Sequence, residues 1–515
     1  MTISTNGAIT GVIQADQAAW LASSVSGGGN RLGDRVAVLG DSFAFQCTGG
    51  NVNGMTFTRS GGVVTVTGAT SHTLYPGAPI AVVGMASSAD EMPVGRVLAY
   101  VSSSSFTYAH AGPDGVMAQN SGNQGVGAVQ AGHVYQNPGF WCHYNRLTSG
   151  AYNLVRVAGF PGATTDHIAT KVAAWIAPAT PNRIIYLAGY NDINNGRTVE
   201  QTVASIKASV DAYPYAFWDI FSTFPFNSGA AANTAANLKK LSGYYQKLKV
   251  AFAGYAQVRV HDSLRLFGLS TGLARTGYIT TDNIHPTPRL MYECAKYIYT
   301  LDGSTDLQTP IPLPVNSLDT IGVDAASKYV IDNPLMTGSQ AATAPATGVM
   351  PTGVQLSLTG TAAAGVSSIP ARADGFGNDW QIVVTPGNAD NVLRMSVSGL
   401  NARFISGATI EYIVMRASVS NIVTANVEQF GAVMVWIADG VTYAAGVQDA
   451  VGSATSITAM QQDDATEVVI TLRNIKVPTF TSLTTARVDF NVNFLGASAT
   501  PTTVKLGQLQ IKMAD

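Results

Sequence analysis

Residues 35–43 read Arg35-Val36-Ala37-Val38-Leu39-Gly40-Asp41-Ser42-Phe43. The unbroken apolar run at 36–39 is typical of a strand in a parallel sheet that is covered on both faces. The Gly-Asp-Ser that follows is typical of a tight turn and places a hydroxyl just after the strand. Because open α/β folds bind ligands at the carboxyl edge of their sheets, Ser42 is expected at a functional site.

An alternation of strands and helices continues from about residue 152 to 305. Strand-like runs cover 154–158, 183–188, 217–224 and 258–261, and helical spacing of apolar residues covers 165–176, 198–213, 230–254 and 287–301. Such alternation predicts a doubly wound parallel sheet, and therefore an α/β domain. We expect this domain to be split, with residues 1–46 and 136–305 forming its two pieces.

Residues 47–135 interrupt the α/β pattern. Short strand candidates at 62–67, 81–83 and 96–101 are separated by turns rich in Gly, Ser and Pro, which predicts a small β-rich insertion domain. The stretch 64–108 resembles a β module common in bacteriophage tail proteins. The resemblance rests on Ser71-His72-Thr73-Leu74-Tyr75-Pro76-Gly77 and on Phe106-Thr107-Tyr108.

The last two fifths of the chain are poor in helical patterns. Residues 306–350 are rich in Pro, Ala, Thr and Gly, which predicts a linker or irregular entry segment. About seven strand candidates follow in 351–515. In the clearest, 486–494, the apolar Val488, Phe490, Val492 and Phe494 alternate with Arg487, Asp489, Asn491 and Asn493. We expect a C-terminal β-sandwich, jelly-roll-like, that binds carbohydrate or mediates oligomerisation.

Composition narrows the class of partner. The 515 residues include 29 Lys and Arg and 31 Asp and Glu, without the basic clusters that nucleic acid binding requires. No basic-plus-apolar leader and no long apolar run is evident, so we expect neither a standard secretory signal nor membrane insertion. Cys47, Cys142 and Cys294 predict buried thiols, although Cys47 and Cys142 flank the insertion and could lie close together. No metal or cofactor is expected.

Three side chains fit nucleophilic acyl transfer, which needs a hydroxyl, a base and a group that orients the base. Ser42 supplies the hydroxyl. His285, in Asp282-Asn283-Ile284-His285-Pro286, is the best base because a neutral imidazole accepts and returns a proton near pH 7. Asp282 lies three residues earlier and can fix the imidazole tautomer. We therefore predict a Ser42–His285–Asp282 triad.

Two further segments offer donors for an oxyanion. They are Gly159-Phe160-Pro161-Gly162-Ala163-Thr164-Thr165 and Gly189-Tyr190-Asn191-Asp192. The Asn191 side chain and the backbone N–H groups of Gly162 and Ser42 would form a three-donor oxyanion hole. Glycine at 162 allows the backbone to approach a substrate closely.

These four segments resemble the motifs of the SGNH, or GDSL-type, hydrolase family. Gly-Asp-Ser, Gly-x-x-Gly-x-Thr, Gly-x-Asn-Asp and Asp-x-x-His occur in the family order at 40–42, 159–164, 189–192 and 282–285. The resemblance implies the same roles for Ser42, Gly162, Asn191, Asp282 and His285. Two features depart from the family pattern: the Leu that usually follows Gly-Asp-Ser is Phe43, and a large insertion follows directly.

Each motif also has a simpler interpretation. A lone Gly-Asp-Ser or Gly-Tyr-Asn-Asp is usually a turn, and a lone Asp-x-x-His is usually a surface pair or cap. The order and number of the motifs favour the esterase interpretation, although such a fold can also lose activity. We expect the remaining histidines to be structural or exposed, with His167 bordering the cleft: His72, His110, His133, His143, His167 and His261.

The setting of the esterase comes from resemblance. The low-charge, Gly/Ser/Thr-rich composition resembles phage tail spikes, and the C-terminal region resembles carbohydrate-binding modules. Trp380, Trp436 and Tyr443 are candidate sugar-stacking residues, the alternative being that they are core residues. The leading hypothesis is a homotrimeric virion tail-spike esterase, assembled with other tail proteins, that deacetylates a bacterial surface polysaccharide. The alternatives are a non-catalytic tail adhesin and a bacterial carbohydrate esterase or lipase.

Overall fold

The structure of the chain is a computed structural model. It describes residues 35–45, 52–68, 74–120, 127–131, 139–269, 271–306, 328–359, 364–387, 392–421, 427–450, 468–494 and 496–514, with the isolated positions 72, 124, 313 and 314. Cys47 and His133 lie outside the described residues, and so does the predicted proximity of Cys47 to Cys142. Cys142 and Cys294 are buried, as expected.

Residues 35–45 form a strand and a short helical turn. Strand β1 is Arg35–Gly40 and helix α1 is Ser42–Phe45. Residues 36–40 are all buried, in agreement with a strand covered on both faces. A Cβ atom at Gly40 would lie 1.8 Å from the Leu187 carbonyl oxygen, so no larger residue fits here without moving the backbone.

Between residues 52 and 131 the chain forms an antiparallel sheet. Its strands are β2 Val52–Asn53, β3 Thr56–Ser60, β4 Val63–Thr67, β5 Pro79–Val83, β6 Met92–Ser102, β7 Ser105–Ala109, β8 Gly115–Val116 and β9 Ala128–Ala131. They lie in the order β2-β9-β5-β6-β7-β4-β3-β8. The predicted strands at 62–67, 81–83 and 96–101 fall within β4, β5 and β6.

Strands and helices then alternate. The elements are α2 Phe140–Leu147, β10 Asn153–Gly159, α3 Thr165–Trp175, β11 Arg183–Leu187, α4 Tyr190–Asn194, α5 Val199–Ala212, β12 Phe217–Phe221, α6 Ala235–Ala251, β13 Val258–His261, α7 Ser263–Phe267 and α8 Pro288–Asp306, with a 3-10 turn at Ala177–Ala179. Each predicted strand and helix of this region is present. Helices α2, α4 and α7 were not predicted, because they are too short to show a helical period.

The five parallel strands form one sheet in the order β10-β1-β11-β12-β13. Side chains of β1 alternate between two buried clusters. Val36 and Val38 pack in the cluster that contains α2 and α8, whereas Ala37 and Leu39 pack in the cluster that contains α3, α5 and α6. Helices thus cover both faces of the sheet, and the predicted α/β class with a parallel sheet is confirmed.

A buried ion network ties the last helix to this sheet. Arg183 of β11 bonds Asp219 of β12 at 2.7 Å and Asp302 of α8 at 3.0 Å, and all three side chains are fully buried. Arg259 of β13 contacts both carboxylates, and His261 lies 2.8 Å from Asp219. His261 is therefore structural, as expected. Because each charge has several partners, the network offsets the cost of burying it.

The C-terminal region is almost entirely β. Its strands are β14 Gln340–Ala341, β15 Thr347–Met350, β16 Val354–Thr359, β17 Ala364–Ser368, β18 Trp380–Thr385, β19 Val392–Val397, β20 Thr409–Val419, β21 Val427–Ala438, β22 Val441–Ala450, β23 Val468–Lys476, β24 Leu483–Phe494 and β25 Thr502–Met513, with a 3-10 turn at Asn401–Arg403. One sheet has the order β14-β15-β17-β18-β25-β20-β23 and the other β16-β19-β24-β21-β22. Apolar side chains of both sheets share one buried cluster.

The three candidate sugar-stacking residues lie inside the protein. Trp380 and Trp436 are fully buried, and Tyr443 is 7% exposed. The Trp380 indole donates to Ser367 Oγ at 3.0 Å, and the Trp436 ring packs against Tyr75 of the insertion at 5.7 Å. The proposal that these aromatics stack on sugars is therefore wrong, because interior packing uses their faces.

Part of the predicted entry segment packs against the C-terminal sheets. Val330 and Ile331 are fully buried, and the Val330 amide donates to the Ile511 carbonyl at 2.8 Å. Residues 328–350 also contain β14 and β15. The domain boundaries themselves stay a prediction. Among the described helices, none has the length and apolar character needed to span a membrane.

Candidate active site

Ser42 is the first residue of α1, lies at the carboxyl edge of the parallel sheet and is half-buried. The neighbouring Asp41 fixes the turn on both sides. Its amide donates to the Leu187 carbonyl of β11 at 3.1 Å, and its Oδ1 accepts the Phe43 amide at 3.0 Å. Ser42 is therefore presented by a turn that is anchored to the next strand.

Asp41 also connects this turn to the one that contains Asn191. Its Oδ2 accepts the Gly189 amide at 3.2 Å and lies 3.5 Å from Asn191 Nδ2. The residue is fully buried. Burial raises the pKa of this carboxyl to about 7, although the hydrogen bonds from the Phe43 and Gly189 amides act in the opposite direction.

Asn191 lies beside the Gly162 turn. Its Nδ2 donates to the Ala163 carbonyl at 3.0 Å, and the Ala163 amide donates to the Phe160 carbonyl at 3.0 Å. Gly162 has φ of +82°, a conformation that favours glycine. The structure thus brings the side chain of Asn191 and the backbone of Gly162, both predicted to donate to an oxyanion, to one edge of the sheet.

A buried carboxylate joins the two segments that are predicted to supply oxyanion donors. Asp192 is fully buried and accepts hydrogen bonds from the Thr165 amide at 2.9 Å and the Thr165 hydroxyl at 2.6 Å. Arg197 Nε lies 2.8 Å from the same carboxylate. Burial raises the pKa of Asp192, which the hydrogen bonds from Thr165 oppose. Asp192 was part of the Gly-Tyr-Asn-Asp motif, but its own partner could not be inferred from sequence.

Asp282 and His285 are in direct contact. His285 Nδ1 lies 2.5 Å from Asp282 Oδ2, while Asp282 Oδ1 accepts the His285 amide at 3.0 Å and the Thr280 hydroxyl at 2.6 Å. Partial burial would raise the pKa of Asp282, but the hydrogen bonds from Thr280 and His285 outweigh it and hold the pKa below its ordinary value. An ionised Asp282 favours the imidazole tautomer with its proton on Nδ1.

A left-handed residue shapes the segment between them. Asn283 has φ of +68°, and its amide donates to the Thr280 carbonyl at 3.0 Å. The Asn227 amide donates to the Asn283 carbonyl at 3.1 Å, which ties the segment to the loop after β12. Asparagine tolerates this conformation better than most residues do.

Phe43 connects the His285 segment with the Ser42 turn. The rings of Phe43 and His285 meet edge to face with centroids 5.9 Å apart, and Phe43 also packs on Phe224 at 5.5 Å. Phe43, which stands where the family motif usually has Leu, is fully buried. All four predicted segments therefore converge at one sheet edge, while the catalytic roles of their residues stay predictions.

The insertion contacts the helix that follows the Gly162 turn. Glu91 forms a buried ion pair of 2.9 Å with Lys171 of α3. One turn earlier, burial and the Lys171 charge lower the pKa of His167 to about 4, so this imidazole is neutral at pH 7. In the described part of the chain, no group of three or more His, Cys, Asp or Glu side chains is arranged to hold a metal ion.

Several of the solved structures that are similar to this chain are hydrolases. They include GDSL-type lipases and acylhydrolases. One similar structure is a GDSL-like lipase from Bacteroides thetaiotaomicron VPI-5482, 14% identical, covering 32% of this chain and 82% of that one with a TM-score of 0.26. Another is a variant of an acetyl-xylooligosaccharide esterase from Geobacillus Stearmophilus, 11% identical, covering 54% and 98% with a TM-score of 0.30.

A phage protein is also among the similar structures. It is the enzymatically active domain of tailspike protein 4 from bacteriophage CBA120, 12% identical, covering 32% of this chain and 20% of that one with a TM-score of 0.22. No protein-family model matches the sequence, and no curated protein does so either.

Proposed function

We propose that the chain is a serine esterase in which Ser42 is the nucleophile, His285 the general base and Asp282 the residue that orients the base. The observation that supports this most directly is the 2.5 Å contact between His285 Nδ1 and Asp282 Oδ2. That contact leaves Nε2 of the imidazole to accept a proton, and the edge contact with Phe43 places the ring beside the serine turn.

The reaction would proceed through an acyl-enzyme. Ser42 Oγ attacks the ester carbonyl carbon while its proton passes to His285 Nε2. The tetrahedral oxyanion is stabilised by the amides of Ser42 and Gly162 and by Asn191 Nδ2. Collapse releases the alcohol, which takes the proton from His285, and leaves acyl-Ser42. Water then attacks the acyl carbon and gives a proton to His285. Collapse of this second tetrahedral intermediate breaks the bond to Ser42 Oγ and releases the acid, and His285 returns its proton to Ser42 Oγ.

The Asn191 side chain has one amide hydrogen that can be donated to the oxyanion. One Nδ2 hydrogen is used by the Ala163 carbonyl at 3.0 Å, and the second lies near Asp41 at the longer distance of 3.5 Å. A long hydrogen bond is weak, so an incoming oxyanion can replace it at little cost. The removal of one oxyanion donor typically raises the barrier by about 2.7–4 kcal/mol.

We propose an acetyl ester of a bacterial surface polysaccharide as the substrate. The support is the resemblance of residues 64–108 to a phage tail module and the low-charge composition, which fit a tail-spike protein of the virion. In this proposal residues 1–46 and 136–305 form the hydrolase domain, 47–135 the insertion, 306–350 an entry segment and 351–515 a jelly-roll-like domain. The assembly would be a homotrimer joined to other tail proteins.

Acetate release tests the proposal. The full chain is incubated with a panel of acetylated surface polysaccharides and with p-nitrophenyl acetate, and Ser42→Ala serves as the control. We expect release by the wild-type chain and loss of it in the variant, with polysaccharide binding retained. Undiminished release by Ser42→Ala would exclude the mechanism, and a wild-type chain that binds without hydrolysis would favour the adhesin alternative.

A further inference from the structure

The outer face of one C-terminal sheet has a composition that the esterase activity does not explain. Val488, Phe490 and Val492 of β24 point into the buried core, as the sequence predicts. The alternate residues of β24 therefore lie on the opposite face of the sheet. This outer face of β16-β19-β24-β21-β22 is called the polar face below.

Two rows of residues cross the polar face. In one, Gln355 pairs with Ser396 and Ser396 with Asp489. In the next, Ser357 pairs with Arg394 and Arg394 with Asn491. Because directly opposed residues have Cβ atoms about 5 Å apart, these side chains form a continuous polar patch. Beyond β24 the rows continue onto Gly431 and Val433 of β21, which add no charged side chain to the patch.

A carboxylate is buried in the middle of this patch. The Asp489 side chain is only 2% exposed, although its strand position faces away from the core. It accepts the Ser396 hydroxyl at 2.7 Å and the Nε of Arg487 at 2.9 Å, and the Nε of Arg394 lies 3.6 Å away. Burial of a carboxylate is costly unless it is paired, and for stability alone an apolar residue would serve as well.

The buried carboxylate fixes two arginine side chains. Arg487 and Arg394 approach Asp489 through Nε, which leaves their Nη groups for other acceptors, and their side chains are 23% and 39% exposed. A guanidinium held in place loses less entropy when it binds a carboxylate in the planar, bidentate geometry. Among the described side chains of the polar face, the charged groups are Arg394, Arg487 and Asp489, so the face is cationic.

We propose that the polar face is a second glycan site, at which Arg394 and Arg487 bind the carboxylate of an acidic polysaccharide. Asn491, Asn493 and Gln355 lie within the same patch and supply amide groups for sugar hydroxyls. The proposal goes beyond the esterase activity, because it assigns binding of a uronic-acid polymer to residues outside the hydrolase sheet. It stands whether or not Ser42 is catalytic.

Affinity electrophoresis of the full chain tests the proposal, with polygalacturonate as the acidic probe and dextran as the neutral one. We expect the wild-type chain to bind polygalacturonate at least about tenfold more tightly than dextran, and 0.5 M salt to weaken that binding by screening the charges. Arg394→Gln should weaken it at least about tenfold. Arg394 makes the longer contact to Asp489, so this variant keeps the Arg487 pair and should fold.

Two further variants separate binding from folding. Arg487→Lys keeps the charge but loses the planar fork, so it should bind polygalacturonate with intermediate affinity. Arg403→Gln removes an arginine that pairs with Asp332 and lies in the 3-10 turn Asn401–Arg403, outside the five strands of the polar face, and it should bind as the wild type does. All three variants should hydrolyse p-nitrophenyl acetate at the wild-type rate, so a failure of the esterase proposal would appear in the wild-type chain and not in these comparisons.

Three results would overturn the proposal. They are equal binding of polygalacturonate and dextran, unchanged binding by Arg394→Gln, and an altered oligomeric state of Arg394→Gln in light scattering. The last result would assign the polar face to a contact between copies of this chain.

Discussion

The Gly189 amide donates a hydrogen bond of 3.2 Å to the Asp41 carboxylate, and so the turn that contains Ser42 is joined to the turn that contains Asn191. We expect Asp41→Asn to lower kcat by about 10–100-fold, because an amide cannot accept from the Phe43 and Gly189 amides with both of its terminal atoms. KM for p-nitrophenyl acetate should change little. Steady-state kinetics at pH 8 would measure both, and an unchanged kcat would show that the oxyanion turn does not need this link.

The same carboxylate gives a pH dependence of stability. Burial raises the pKa of Asp41 from 3.8 to about 7, so the folded state binds its proton more tightly than the unfolded state does. The resulting stabilisation is fully present below about pH 4 and is lost as the pH rises through about 7. The free energy of unfolding of the wild-type chain should therefore fall relative to that of Asp41→Asn between pH 5 and pH 8. Urea unfolding at the two pH values measures this difference.

Asp282 should have the opposite effect on stability and a large effect on catalysis. Its pKa is lowered in the folded state, so it stabilises the protein above about pH 4, and this contribution is lost as the pH falls further.

We expect Asp282→Asn to lower kcat by about 10²–10⁴-fold with little change in KM, because the imidazole loses its orienting carboxylate. Asp262→Asn, at the N-cap of α7, is the matched control and should keep the wild-type kcat.

Gly189 is restricted by its conformation and by its neighbours. Its φ is +122°, and a Cβ atom there would lie 2.8 Å from Tyr244 Oη and 3.1 Å from Thr223 Cβ. Gly196→Ala is the control, since φ is also positive, at +77°, but no atom lies within 4 Å of the added Cβ. We expect Gly196→Ala to cost about 1–2 kcal/mol of unfolding free energy and Gly189→Ala to cost more and to reduce activity. Equal costs in urea unfolding would contradict the steric argument.

The Glu91–Lys171 pair should behave as a buried ion pair. The two side chains are 3% and 11% exposed and join the insertion to α3. Removal of one partner, in Lys171→Met, should cost about 3–5 kcal/mol, whereas Glu91→Leu combined with Lys171→Met should be nearly neutral. Lys207→Met breaks the exposed pair with Asp211 and should cost less than about 1 kcal/mol. A double-mutant cycle by urea unfolding gives the coupling energy.

The parallel sheet was predictable because its signals are local. The run at 258–261 coincides with β13, and 165–176 differs from α3 by one residue, since apolar period and flanking turns define both. Helix α6 was predicted to start at 230 but begins at Ala235. The residues before it form a loop in which the Asn227 amide donates to the Asn283 carbonyl. These two residues are far apart in sequence, so their contact has no signal in the local sequence pattern.

Side-chain partners were less predictable than the elements that carry them. Asp282 and His285 lie three residues apart on one segment, so their contact could be inferred from spacing. Asp41 and Gly189 lie 148 positions apart, and Arg183 and Asp302 lie 119 apart, so those pairs depend on how the sheet folds. The alternation in β18 puts Trp380 on the same face as Ile382 and Val384, but alternation alone does not say whether that face packs in a core or binds a ligand.

Ala81, Val83 and Ala128 of the insertion share a buried cluster with Phe45 of α1 and with Phe160, which follows β10. Phe45 ends the helix that begins at Ser42, and Phe160 precedes the Gly162 turn. Excision of residues 47–135 would therefore uncover apolar surface beside the turns that contain Ser42 and Gly162. The insertion thus completes the apolar core beside both turns, and we expect that residues 1–46 and 136–305 would not keep the proposed site if they were expressed without it.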